Sequence, residues 1–180
     1  MYTNSENFKT HLVLGGARSG KTKFAEKLAL SLTEDSHMLP IYIATAQAFD
    51  TEMQDRIDTH KYERADCFKT LECPLAIDEP LMRASKDEVI LIDCLTLFVS
   101  NLLCASSFDN TKIESFKRAV KNTKARLIIV SNETGFGVVP DNKLARQFRD
   151  VSGKLNQDIA SIADKVTMVI AGLGMPLKNN

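Results

Sequence analysis

The chain has 180 residues and a formal net charge of zero; 44% of its residues are hydrophobic and 26% are charged. The balanced charge excludes a general binder of nucleic acid or of acidic membrane surfaces. No apolar run approaches the roughly 20 residues that a membrane span requires. We therefore expect a globular protein with a short flexible tail over residues 1–10 and a single domain over residues 11–180.

The first predicted elements are a strand over residues 12–14, a glycine-rich turn and a helix. Residues 15–22 match the phosphate-binding P-loop pattern, in which a glycine is followed after four residues by Gly-Lys-Thr. The pattern comprises Gly15, Gly16, Ala17, Arg18, Ser19, Gly20, Lys21 and Thr22. Its glycines let backbone N–H groups approach phosphate oxygens, and the helix start adds a positive dipole end. Lys21 is expected to reach the β- and γ-phosphates and Thr22 to bind Mg²⁺. The alternative is a strand–helix turn that holds no nucleotide.

Residues 39–45 predict a second strand, and the carboxyl end of such a strand faces the ligand crevice in an open parallel sheet. Residues 50–61 predict a helix, and His60 lies at the edge of its apolar face. A single histidine on a helix is usually structural or solvated, so the spacing alone leaves the role of His60 open. Residues 69–72 predict a short strand or edge segment.

Residues 89–93 are four apolar residues followed by Asp93, which predicts a buried parallel strand ending in a carboxylate. An aspartate in that place is the usual partner of a P-loop and contributes to Mg²⁺ binding. The alternative is that Asp93 caps the helix predicted over residues 95–103. A further buried strand is predicted over residues 127–131.

The C-terminal third continues the alternation of strands and helices. A loop with two glycines over residues 132–140 precedes a long helix, whose apolar residues keep helical spacing from Leu144 to Ile162. A last strand is predicted over residues 166–172, followed by a short tail. The alternation predicts an α/β P-loop NTPase fold, with a mostly parallel sheet and helices on both faces.

The four cysteines form no metal or redox motif. They contain no Cys-x-x-Cys pair, which argues against a zinc site or a redox centre; they are Cys67, Cys73, Cys94 and Cys104. Unpatterned cysteines beside a P-loop favour a reducing, cytoplasmic location.

Five segments together resemble the bifunctional adenosylcobinamide kinase / adenosylcobinamide-phosphate guanylyltransferase family of cobalamin biosynthesis. They are residues 15–22, 42–46, 52–61, 91–96 and 132–150, in matching order and spacing over nearly the whole chain. The segments that contain His60 and residues 132–150 are far more specific than the P-loop, which many families share. The chain departs from the family at Ala65 and Phe68, where a proline and a tryptophan are usual.

The resemblance implies a homo-oligomer, a trimer, that phosphorylates the aminopropanol hydroxyl of adenosylcobinamide with ATP or GTP. It implies a second reaction, in which GMP passes from GTP to adenosylcobinamide phosphate through a covalent intermediate on His60, giving adenosylcobinamide-GDP and pyrophosphate. Lys21 and His60 would be catalytic, and Thr22 and Asp93 would bind Mg²⁺. Beyond the P-loop, the implied nucleotide site comprises Ala44, Thr45, Ala46, His60, Lys61, Tyr62, Glu63, Glu72 and Asp93. No nucleic-acid partner is expected.

Two other functions compete with this interpretation. A simple P-loop kinase for a small metabolite would leave His60 as a spectator. A regulatory protein would bind GTP without turning it over. Acid-labile GMP attached to the protein would distinguish the bifunctional enzyme from both.

Overall fold

The computed structural model describes residues 8–36, 38–47, 51, 61–62, 64, 66–105 and 108–179. The strands are β1 (Thr10–Gly15), β2 (Ile41–Ala44), β3 (Lys69–Glu72), β4 (Val89–Asp93), β5 (Arg126–Asn132), β6 (Lys165–Ile170) and β7 (Leu173–Asn179). The helices are α1 (Lys21–Ser31), α2 (Asp78–Arg83), α3 (Leu95–Cys104), α4 (Thr111–Asn122) and α5 (Lys143–Ile162).

The strands form one seven-stranded sheet in the order β3-β2-β4-β5-β1-β6-β7. Every neighbouring pair from β3 to β6 is parallel, and only the pairing of β6 with β7 is antiparallel. The carboxyl ends of the parallel strands therefore meet along one edge of the sheet, where ligands bind in open α/β folds. This sheet confirms the predicted fold class.

Alternating side chains of the central strands build a core on each face of the sheet. On one face, Val13 of β1 packs in a cluster with Ala25 and Ala29 of α1. On the other face, Leu12 and Leu14 belong to the cluster that holds apolar residues of α2 to α5. The helices on both faces thus follow from central strands whose buried side chains are largely apolar on both faces of the sheet.

The structure corrects two predictions at the chain ends. The N-terminal tail does not extend to residue 10, because Phe8 is buried in the core and β1 begins at Thr10. The segment after β6 is not a tail but strand β7, which folds back as an antiparallel edge strand.

The predicted strand over residues 39–45 is shorter than expected and spans Ile41–Ala44.

The helix predicted over residues 50–61 lies largely outside the described residues. Thr51 and Lys61, which are described, have helical backbone. Among the described helices, none combines the length and apolarity that crossing a membrane would require.

Candidate active site

The P-loop connects the carboxyl end of β1 to the start of α1, as its motif requires. A Cβ on Gly15 would lie 2.5 Å from Ser19 Oγ and 2.7 Å from the carbonyl oxygen of Val169, so no larger residue fits there. Gly20 precedes α1 with φ 91°, a left-handed conformation that favours glycine. The backbone is fixed on both flanks: Glu133 N donates to Gly15 O at 3.1 Å, and Gly172 N donates to Ser19 O at 2.8 Å.

Lys21 and Thr22 lie at the start of α1 and project in different directions. The buried Lys21 ammonium donates to Gly16 O at 3.0 Å, which keeps the cation against the loop backbone. The Thr22 hydroxyl donates to Asp93 Oδ2 at 3.0 Å. The loop and the end of β4 are thereby joined through a side-chain pair.

Asp93 also accepts a second hydrogen bond, from Tyr42 Oη at 2.6 Å. Burial raises the pKa of Tyr42 far above its usual value, and the Asp93 charge adds to the effect, so the phenol stays protonated and remains a donor. Tyr42 is not among the site residues that the sequence predicts. A tyrosine flanked by two apolar residues of a buried strand is the signal that could have identified it.

The donor set at Asp93 suits a hard divalent cation. A threonine hydroxyl and a carboxylate converge here, and both are oxygen ligands of the kind that Mg²⁺ prefers. Within the described ranges there is no cluster of three metal-ligating side chains. The set therefore fits an ion that takes its remaining ligands from phosphate oxygens and water.

Thr45, which follows β2, holds the backbone next to Asp93. The Thr45 side chain is fully buried; its hydroxyl donates to Cys94 O at 2.8 Å and accepts from Cys94 N at 2.7 Å. Asn101 Nδ2 donates to Thr45 O at 2.8 Å, a contact that sequence reasoning did not identify. The Thr45 hydroxyl thus fixes the backbone after Asp93. Ala44 and Ala46 are half-buried on either side of it.

Burial raises the pKa of the Cys94 thiol to about 11, and the neighbouring Asp93 charge adds to the shift. Cys94 therefore stays protonated at neutral pH and is no nucleophile.

The segment after His60 is anchored to the same edge of the sheet. Lys61 Nζ lies 2.6 Å from Glu72 Oε1 at the end of β3. The Arg64 guanidinium lies 3.8 Å from the centre of the Tyr42 ring, in a cation–π contact. Tyr62 is 86% exposed. His60 and Glu63 lie outside the described residues.

Sheet register aligns several of the predicted site residues. Ala44 pairs with Glu72 on one side and with Asp93 on the other, so these three residues form a row across β3, β2 and β4. Gly15 ends β1 on the far side of β5. The strand residues of the predicted site therefore lie along one edge of the sheet.

The sequence of the chain is similar to that of known proteins. A family model described as cobinamide kinase / cobinamide phosphate guanyltransferase matches residues 11–177. The bifunctional adenosylcobalamin biosynthesis protein CobP of Pseudomonas aeruginosa is 44% identical over 171 residues, covering 93% of this chain and 96% of that protein. The corresponding protein CobU of Escherichia coli K12 is 38% identical over 184 residues, covering 93% and 98%.

Among solved structures, the flagellar accessory protein FlaH from Methanocaldococcus jannaschii superposes with a TM-score of 0.52 at 15% identity. The match covers 96% of this chain and 79% of that one. At this identity the likeness supports the α/β fold alone.

Proposed function

The chain belongs to the cobinamide kinase / cobinamide phosphate guanyltransferase family, and from this premise we propose that one pocket beside the P-loop serves both reactions. The protein is a bifunctional enzyme of adenosylcobalamin biosynthesis. It phosphorylates adenosylcobinamide with ATP or GTP and then transfers GMP from GTP to adenosylcobinamide phosphate.

The nucleotide phosphates bind along residues 15–22, with Lys21 as the cation for the β- and γ-phosphates. This role is supported by its place at the start of α1, where the ammonium already lies against the loop. Thr22 and Asp93 would hold Mg²⁺, which neutralises phosphate charge when bound. Tyr42 keeps the Asp93 carboxylate oriented toward Thr22.

His60 carries GMP between the two substrates. Its ring nitrogen attacks the α-phosphorus of GTP, the bond to the bridging oxygen breaks, and pyrophosphate leaves with the electron pair. An oxygen of adenosylcobinamide phosphate then attacks the same phosphorus, and the P–N bond breaks to return the neutral imidazole.

The observation that carries this proposal is a chain of contacts from Asp93 into the segment after His60. Asp93 binds the Tyr42 hydroxyl, and the Tyr42 ring supports Arg64. Lys61, the neighbour of His60 in sequence, pairs with Glu72 in the row that also holds Asp93. These contacts support the assignment of His60 as the residue that carries GMP.

The test is incubation with GTP labelled at the α-phosphate, with Mg²⁺ and no acceptor. The protein should carry a label that acid removes and alkali does not, because protonation of the imidazole makes it a good leaving group. His60→Ala should abolish the label and lower guanylyl transfer by orders of magnitude, while His37→Ala, the matched control, should still label. A labelled His60→Ala protein would contradict the assignment, and a simple kinase or a regulatory protein would give no label in any form.

The nucleotide site also includes Ala44, Thr45, Ala46, Lys61, Tyr62, Glu63 and Glu72. Support for this set is the row formed by Ala44, Glu72 and Asp93, together with the Lys61–Glu72 pair. Glu72→Gln should raise the KM for GTP in both reactions, because Lys61 would lose its carboxylate partner.

The enzyme works as a homotrimer in the cytoplasm. The location is supported by the four cysteines, all of which are free thiols and thus suit a reducing compartment. Light scattering after gel filtration should give three times the mass of the chain; a fully active monomer would contradict the trimer.

A further inference from the structure

Strand β5 brings its C-terminal end between the P-loop and Asp93. The sheet order places β5 between β1, which ends in the P-loop, and β4, which ends at Asp93. Asp93 is in register with Val130, and β5 continues past it to Asn132, which is in register with Gly15. Glu133 follows directly. Its backbone N–H donates to Gly15 O at 3.1 Å, which fixes the main chain of this residue beside the phosphate loop.

The end of β5 is held rigidly by side chains from two helices. Asn132 N donates to Thr96 Oγ1 of α3 at 2.7 Å. Asn156 Nδ2 of α5 donates to Asn132 O at 3.1 Å. A residue placed on such a fixed strand end is held accurately enough to serve in a reaction centre.

The carboxylates along this edge differ in what they already bind. Asp93 accepts hydrogen bonds from two hydroxyls and is the proposed metal ligand, and Glu72 forms an ion pair with Lys61 at 2.6 Å. Glu133 is half-buried, and Oε1 accepts a local hydrogen bond from Gly135 N at 2.9 Å. Throughout the described part of the chain, no cation forms an ion pair with Glu133. Of these three carboxylates, that of Glu133 therefore has neither a cation nor the proposed metal as its partner.

The two reactions differ in their need for such a group. The acceptor in the kinase step is an alcohol, which must lose a proton as it attacks phosphorus. The acceptor in the guanylyl transfer is a phosphate oxygen, which is already deprotonated at neutral pH. A general base is thus required by the first reaction and not by the second.

We propose that Glu133 is the general base of the kinase step, an inference that rests on the function proposed above. The Glu133 carboxylate takes the proton of the aminopropanol hydroxyl while the hydroxyl oxygen bonds to the γ-phosphorus. The bond between the γ-phosphorus and the β,γ-bridging oxygen breaks, and the nucleoside diphosphate leaves with the electron pair. Carboxylates of other phosphotransferases accept a substrate hydroxyl proton in the same way.

The test compares both reactions in Glu133→Gln and in a matched control. Glutamine keeps an oxygen for the Gly135 N–H bond but cannot take a proton at that oxygen. Glu88→Gln is the control, because Glu88 is likewise half-buried and accepts a local backbone hydrogen bond, from Ser85 N at 2.6 Å, but lies before β4 at the opposite edge of the sheet. Kinase turnover is measured with adenosylcobinamide and ATP, and guanylyl transfer with supplied adenosylcobinamide phosphate and GTP.

Glu133→Gln should lower the kcat of the kinase step by roughly 10²-fold or more with little change in KM, while guanylyl transfer stays at the wild-type level. Glu88→Gln should leave both reactions unchanged. Equal losses in both reactions would mean that Glu133 only shapes the loop, and a kinase kcat at the wild-type level would also overturn the proposal. A wild-type protein without kinase activity would instead refute the proposed function, so the two failures are distinguishable.

Discussion

Replacing Tyr42 by phenylalanine tests the hydrogen bond that Asp93 accepts from Tyr42, while Asp93 itself stays in place. The change removes one hydroxyl that donates to Asp93 Oδ2 at 2.6 Å, and it leaves the buried ring under Arg64. A hydrogen bond to a charged group contributes about 1.5–3 kcal/mol. Asp93 is only half-buried and keeps the Thr22 hydroxyl, so the loss should fall near the lower value, about 1.5 kcal/mol.

Two measurements test this magnitude. For a chain of 180 residues the unfolding entropy is roughly 0.4 kcal/mol per kelvin, so the melting temperature should fall by about 4 °C. The Mg²⁺ concentration for half-maximal kinase activity should rise about 10- to 100-fold, as is typical when a ligand loses its supporting hydrogen bond. Tyr62→Phe is the stability control, since Tyr62 is 86% exposed. If Tyr42→Phe melts and responds to Mg²⁺ like the wild type, the contact does not orient Asp93.

Lys21→Ala should abolish both reactions, because the ammonium neutralises the charge of the bound phosphates, and it should leave the far-UV circular dichroism unchanged. Near-normal turnover would refute the P-loop assignment. Gly15→Ala should lower the free energy of unfolding in urea by about 1–3 kcal/mol, since the new Cβ would lie 2.7 Å from Val169 O. Gly137 has open space around it, so Gly137→Ala should change the free energy of unfolding little. Equal losses in the two variants would contradict the steric argument. Burial lowers the pKa of His11 to about 4 in the folded protein, whereas its value in the unfolded chain is 6.5. The free energy of unfolding should therefore fall as the pH decreases from 6.5 toward 4, by on the order of 3 kcal/mol in all. Urea unfolding at pH 7 and pH 5 should show that the free energy of unfolding decreases less in His11→Gln than in the wild type. An equal decrease in the two proteins would refute His11 as the cause.

The parts of the site that sequence predicted are those specified by short, local patterns. The P-loop is continuous in sequence, and Asp93 ends an apolar strand, so each could be identified alone. Tyr42 was missed because its role exists only through a contact with Asp93, which lies 51 positions further along the chain. Hydrophobic periodicity carries no information about such pairs.

Strand β7 was missed for a different reason. Its sequence contains Gly174 and Pro176, which argue against a central strand and are tolerated at an edge. The turn before it uses Ala171 and Gly172, both with positive φ, as a tight two-residue hairpin requires. Alanine is an unusual residue in that conformation, so the turn carried a weak signal.

The two backbone hydrogen bonds that flank the P-loop bear on the entropy of nucleotide binding. Gly15 is tied to the end of β5 and Ser19 to the hairpin before β7, at 3.1 Å and 2.8 Å. A loop that is already ordered loses little conformational freedom when a phosphate arrives, so more of the contact energy remains as affinity. Deleting β7 would release Gly172 and thereby Ser19, and GTP would then bind with a more unfavourable entropy although no residue that faces the phosphates had changed.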